Sequence, residues 1–136
     1  HDGRSVVYMT DTAPYDDQLL GEGFHIRKPS EDPMVLDLIE EYRDKLVDLC
    51  RGADVLIYDT FFTREQYRQN PHWGHSTAER GIALARRAGV SKFFLYHHHP
   101  EDHDDQLIAR AADFAQRYND DELSIHLSRE GLNLEV

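Results

Sequence analysis

The sequence predicts an α/β fold. Three observations carry that prediction. Short β-branched or aromatic runs alternate with amphipathic helical stretches. Two of the helical stretches carry start or stop signals. Each of the first three strand-like runs ends on a side chain able to hold a metal: Asp11, Asp59 and His97.

Ser5-Val-Val-Tyr-Met9 reads as the first strand and runs into "TDT". Residues 13 to 33 carry Pro14, Gly21, Gly23, Pro29 and Pro33 and read as a long loop. Val35, Leu38, Ile39, Tyr42, Leu46 and Leu49 then share one helical face, with Gly52 just beyond as a stop. Asp54 opens a second strand, Val55-Leu-Ile-Tyr58, which ends on Asp59. A polar loop with "PHWGH" follows. Ser76-Thr-Ala-Glu79 matches a capping box, with Ser76 as N-cap. The helix it starts runs through Ile82 and Ala85 to Ala88 and stops at Gly89. Lys92 to Tyr96 is the third strand. Leu107, Ile108, Ala111, Ala112, Ala115 and Tyr118 mark another helix. Leu123–Leu127 and Leu132–Val136 read as a terminal hairpin around "REG".

At 136 residues the chain reads as a single α/β unit with room for a core. Its 40% hydrophobic and 30% charged residues fit a globular chain. No apolar run approaches the roughly 20 residues of a membrane span. The single cysteine, Cys50, excludes an internal disulfide and fits a reducing, cytoplasmic setting. The formal charge of −11 argues against a long nucleic-acid partner, which demands a clustered basic surface. An anionic substrate would need local positive charge, and a divalent metal is one source.

In layered α/β sheets, sites gather beyond the carboxyl ends of the strands. If the first three strands run parallel, Asp11, Asp59 and His97 converge on one rim. His75 stands just before a helix N-terminus, where backbone N–H groups favour an anion. Each of these residues has a plainer reading. An acid after a strand is often a turn former, and Asp59 could simply anchor a loop. Alternation puts neighbours of the run His97-His98-His99 on opposite sides, so one of them faces a site and the others are structural or solvated. His72 and Trp73 read as loop packing, with Trp73 able to wall a pocket. His1, His25 and His126 have no supporting context. Glu101, Asp102, Asp104 and Asp105 could orient ligands, or form the solvated first turn of a helix.

Taken in order, "VVYMTDT", "GADVLIYDTFFTREQY" and "WGHSTAERGIALARRAGVSKFFLYHHHPEDHDD" resemble metallo-β-lactamase-fold hydrolases, nearest to the tRNase Z and PhnP-type phosphodiesterase branch. The resemblance covers most of Val6 to Leu107 and implies the C-terminal half of a four-layer αββα sandwich. It implies two divalent metal ions, zinc with manganese or iron as alternatives. Asp11 takes the place of a carboxylate bridging two metals, and His97 that of the last metal-binding histidine. His98 is the alternative one residue on. His75 takes the place of a histidine that contacts the substrate phosphate or protonates the leaving oxygen. Asp59 resembles an acid that orients a neighbour. The family's H-x-H-x-D-H motif is absent. The remaining ligands are therefore expected from an N-terminal half, as a separate chain or a cleaved segment; the start at His1 without Met fits a processed or cut product. The implied function is a two-metal phosphodiesterase acting on a small phosphodiester, the 136-residue chain alone being inactive. The alternatives are hydrolysis of a non-phosphate ester, thioester or lactam, a silent half-module, or a silent α/β interaction module. An uncovered sheet face also invites association between copies.

Overall fold

The computed structural model describes residues 3–13, 32–70 and 73–134. Its elements are β1 (Val6–Met9), α1 (Pro33–Cys50), β2 (Val55–Asp59), α2 (Arg64–Gln69), α3 (Ala78–Ala88), β3 (Lys92–Tyr96), α4 (Asp104–Tyr118) and β4 (Ser124–Leu127). The long-loop reading of residues 13 to 33 lies almost wholly outside the described residues, as do His1, His25 and His72.

The four strands form one sheet in the order β1-β2-β3-β4, and every pair is parallel. Val7, Leu56, Phe93 and Ile125 lie in register, as do Met9, Tyr58, Leu95 and Leu127. These two rows meet Val47 and Cys50 of α1, Ile82 and Ala85 of α3, and Phe114 of α4 in a single core. Burial in that core pushes the Cys50 thiol up to about 11, which makes it a packing group rather than a nucleophile. The opposite row carries Tyr8, Ile57, Phe94 and His126. At its β1 end Val6 and Tyr8 are 50% and 54% exposed, with no helix of the described residues over them.

Parallel strands place all four carboxyl ends on one edge, which is what brings the predicted residues together. The ends of the elements are pinned by polar contacts. The Asp54 side chain accepts from the Ser5 N–H (2.8 Å) and sets the start of β1. Gly89 adopts a left-handed φ of 70° and closes α3 where the sequence predicts a stop. Arg86 donates to the Tyr118 carbonyl and to Asp120, tying the end of α3 to the end of α4. The Asp102–Arg110 pair (3.0 Å) and the Gln106 side chain, which accepts from the His103 N–H, explain much of the acidic run: it forms the start of α4.

Four expectations are corrected. The terminal hairpin does not form. β4 pairs parallel to β3, a turn at Arg129–Leu132 follows, and residues 132–134 make no strand. The N-cap of α3 is Thr77 rather than Ser76, because the Ser76 hydroxyl is engaged by Tyr58 (3.1 Å) and its N–H by Asp59 (3.2 Å). The buried face of α1 is rotated: Ile39, Val47 and Cys50 are buried, while Leu38 and Leu49 are exposed. In α4, Ile108 and Ala112 face outward and Phe114 is the buried anchor. A short helix, α2, also interrupts the polar loop; Thr63 and Gln66 cap it reciprocally.

Gly81 sets how closely α3 approaches the sheet. A Cβ there would sit 2.4 Å from Tyr58 Cδ1 and 2.6 Å from Phe93 Cζ. Helix propensity alone would favour alanine by about 1 kcal/mol. Both neighbours are buried rings with little room to move, so the clash wins. Gly81→Ala is expected to destabilise the fold by roughly 1–3 kcal/mol in urea denaturation; an unchanged or raised midpoint would show that α3 can shift freely.

Candidate metal centre

The rim is built around Asp59, the last residue of β2, whose side chain is 0% exposed. A buried carboxylate is costly unless donors surround it. Asp59 has five contacts of that kind. Oδ1 accepts from the backbone N–H groups of Phe61 (3.2 Å) and Ser76 (3.2 Å). Oδ2 accepts from the Asp11 N–H (2.9 Å) and faces Nδ1 of His75 (3.0 Å) and of His97 (2.9 Å). These partners come from three strand ends and from the segment before α3.

Local structure explains how each arrives. Asp11 follows β1 and His97 follows β3. They are the two non-glycine residues with positive φ among the described residues, at 49° and 58°. Left-handed backbone is uncommon for residues with a Cβ, although Asp and His tolerate it better than most. Here it turns both side chains back over the rim. The Thr60 N–H and hydroxyl both donate to the Tyr96 carbonyl, which locks the ends of β2 and β3 together. The chain then runs through α2 and returns alongside itself: Phe62 pairs with Thr77, and the Phe62 N–H donates to the Ser76 carbonyl (3.0 Å). That return places His75 next to Asp59.

The tautomers follow from the geometry. An imidazole lone pair at Nδ1 would repel an ionised carboxylate oxygen about 3 Å away, so both rings carry their proton at Nδ1. Nε2 of each ring lies on the side away from Asp59, where it can bind a cation through its lone pair or, when protonated, donate. A carboxylate on one ring nitrogen is the arrangement that orients histidines whose other nitrogen binds metal. Asp11 completes the set: its Oδ1 lies 3.9 Å from His97 Nδ1, and its side chain is open to solvent. Thr10 Oγ1 donates to Asp11 Oδ2 (3.2 Å) and lies 3.4 Å from His97 Nδ1. One ligand-type atom each from Asp11, Asp59, His75 and His97 falls within 4.8 Å of the others. Two carboxylates beside two imidazoles make this rim a candidate cation site. Asp59 is the poorest donor of the four, since its oxygens already accept five contacts. The donor set fits a mixed nitrogen–oxygen metal site, but it is short of the three protein ligands a catalytic zinc usually has if only Asp11 and His97 serve.

His98 points elsewhere. It lines a cavity of about 300 Å³ on the helical side of the sheet, with Leu95, Leu107, Arg110 and Phe114. Its Nε2 and the Asp102 Oδ2 are buried without a partner among the described residues, and burial lowers its pKa. His126 stacks on Phe94 (4.8 Å) and hydrogen-bonds Ser124 Oγ. Trp73 is exposed and lies 5.9 Å from the Phe62 ring. The residue missed in the sequence is Phe61, whose ring stacks on His75 at 4.3 Å. A phenylalanine after a strand looks like ordinary core, and no pattern sets it apart.

Asp59→Asn is expected to cost on the order of 2–4 kcal/mol, the loss of two or more charge-assisted hydrogen bonds, and to release the His75 and His97 tautomers. Urea denaturation and histidine ¹⁵N shifts check both. A variant as stable as the parent, with both rings still protonated only at Nδ1, contradicts the arrangement.

No protein-family model matches the chain. Individual proteins do. Ribonuclease Z of Thermoplasma volcanium is 38% identical over 123 residues, covering 89% of this chain and 31% of that protein. Ribonuclease Z of Picrophilus torridus is 29% identical over 134 residues, covering 98% of this chain and 32% of that protein. A crystal structure of a new diphosphatase from the PhnP family matches with a TM-score of 0.52 and 17% identity, over 98% of this chain and 36% of that one, and shows the fold. The chain thus spans about a third of the length of these relatives. Sequence and fold together bear out the resemblance: the chain is similar to part of proteins in the tRNase Z and PhnP-type branch of the metallo-β-lactamase fold.

Proposed function

We propose that this chain is the C-terminal part of a metal-dependent phosphodiesterase. The observation that carries the reading is the pair of imidazoles held at Nδ1 by one buried carboxylate, beside the open carboxylate of Asp11. Asp11 and His97 would hold the metal, Asp11 as a bridge between two ions. Asp59 would not bind metal; it fixes the imidazoles. A pair of divalent ions, zinc or alternatively manganese or iron, supplies an acidified water and neutralises the phosphoryl charge when bound. His75, with Nδ1–H on Asp59 and a second proton at Nε2, would contact the phosphate oxygens or give the Nε2 proton to the departing oxygen, with α3 beginning just after it. The remaining ligands come from an N-terminal part, whose sheet would cover Val6 and Tyr8 and complete an αββα sandwich.

The net charge of −11 favours a small phosphodiester over a long RNA, since phosphate-backbone binding draws on a positive surface. The second reading, an RNA phosphodiester, is favoured by the relatives named ribonuclease Z; it requires the basic surface to lie in the other part.

The test uses the complete protein with bis(p-nitrophenyl) phosphate and a structured RNA. Metal content should be stoichiometric and chelation should abolish turnover. Asp11→Ala should remove metal and activity together. His75→Ala should slow turnover by roughly 10²–10⁴-fold, the usual worth of a positioned acid, with metal retained. Absence of metal and turnover from the complete protein would sink the enzyme reading in favour of a silent module. Loss of metal from His75→Ala would make that residue a ligand instead.

A further inference from the structure

A single hydrogen bond does not fix an imidazole. His75 Nδ1 is held by Asp59 at 3.0 Å, yet the ring can still swing about that contact, carrying Nε2 with it. The second constraint is Phe61. Its ring lies face to face with His75, 4.3 Å between centroids and 23° between planes. The same ring approaches His97 at 5.2 Å and His99 at 4.9 Å, both inclined. Phe61 is itself immobilised. Its N–H donates to the Asp59 carboxylate that holds the histidines, and Phe62 packs on it edge-on at 4.9 Å. With Phe62 and Tyr67 it forms a small core separate from the main one, directly behind the rim. A second core of three aromatics contributes less to the fold than the main core does, but it gives His75 a rigid backing.

We propose that Phe61 is a positioning residue: its face sets the plane of the His75 ring, so that the Nε2–H of the protonated ring meets the substrate's phosphoryl oxygen. This rests on His75 acting on the phosphate, as proposed above. An aliphatic side chain of similar volume would fill the space but offers no flat face, so the ring would sample several planes. Misplacement on the ångström scale is enough to cost about 10²-fold in rate.

The experiment compares Phe61→Leu, Phe61→Met and Phe61→Tyr in the complete protein. In the parent, ring current from Phe61 should shift the His75 Cδ2 and Cε1 protons upfield of those of the exposed His103. Leucine or methionine should abolish that shift; tyrosine should keep it. With bis(p-nitrophenyl) phosphate, the aliphatic variants should lose roughly 10–100-fold in kcat, with KM and metal content unchanged, and tyrosine should restore most of it. Methionine serves if leucine prevents folding. An unshifted His75 in the parent, or folded aliphatic variants with parental kcat and a lower Tm only, overturns the proposal. A parent inactive on every phosphodiester removes the hydrolase reading, while the proton shifts still decide whether Phe61 sets the ring plane.

Discussion

Burying the Asp59 carboxylate is the constraint from which the rim follows. An ionised oxygen pair at zero exposure must be met by donors, and the chain meets it with three backbone N–H groups and two imidazoles. Those donors belong to the ends of β1 and β3, to the residues after β2 and to the segment before α3. One side chain therefore fixes the relative position of four pieces of chain. It also fixes an orientation, because imidazoles that give Nδ1–H to Asp59 turn Nε2 away from it. Folding and preparation of the site are thus the same event.

The rim carries strain that the core does not. Asp11 and His97 both hold left-handed backbone, a conformation costing on the order of 1 kcal/mol or more for residues with a Cβ. Each is retained by its contact with Asp59. Elsewhere the described residues are relaxed: Thr77 caps the start of α3 and Gly89 its end, the parallel strands pair in unbroken register, and Gly81 lets helix and sheet meet without distortion. Strain confined to the residues that would grip a cation is what preorganisation requires.

The sheet was legible because its strands are short, β-branched and cleanly bounded, and because parallel pairing then forces their ends onto one edge. Asp11, Asp59, His75 and His97 could be singled out for that reason. What escaped depends on long-range competition. Ser76 is a better cap than Thr77 on local grounds, until Tyr58 and Asp59 claim its hydroxyl and its N–H. The α1 face shifted because Val47 and Cys50, not Leu38 and Leu49, meet the sheet. The terminal hairpin failed because β4 found its partner in β3, fifteen residues of helix away. The convergence of five contacts on Asp59, and of three imidazoles on Phe61, is tertiary and leaves no local pattern.

The chain covers only about a third of its relatives, and two ligands cannot hold two ions. Its own contribution is a prepared edge: Asp11 open to solvent, and two imidazoles held at Nδ1 by the buried Asp59. Anomalous diffraction from crystals of the complete protein, recorded at the absorption edge of its bound metal, tests that division of labour most directly. The account predicts metal density within about 2.2 Å of His97 Nε2 and an Asp11 oxygen, with Asp59 still on both Nδ1 atoms. Density bonded to Asp59 or to either Nδ1, or lying away from Asp11 and His97, contradicts it.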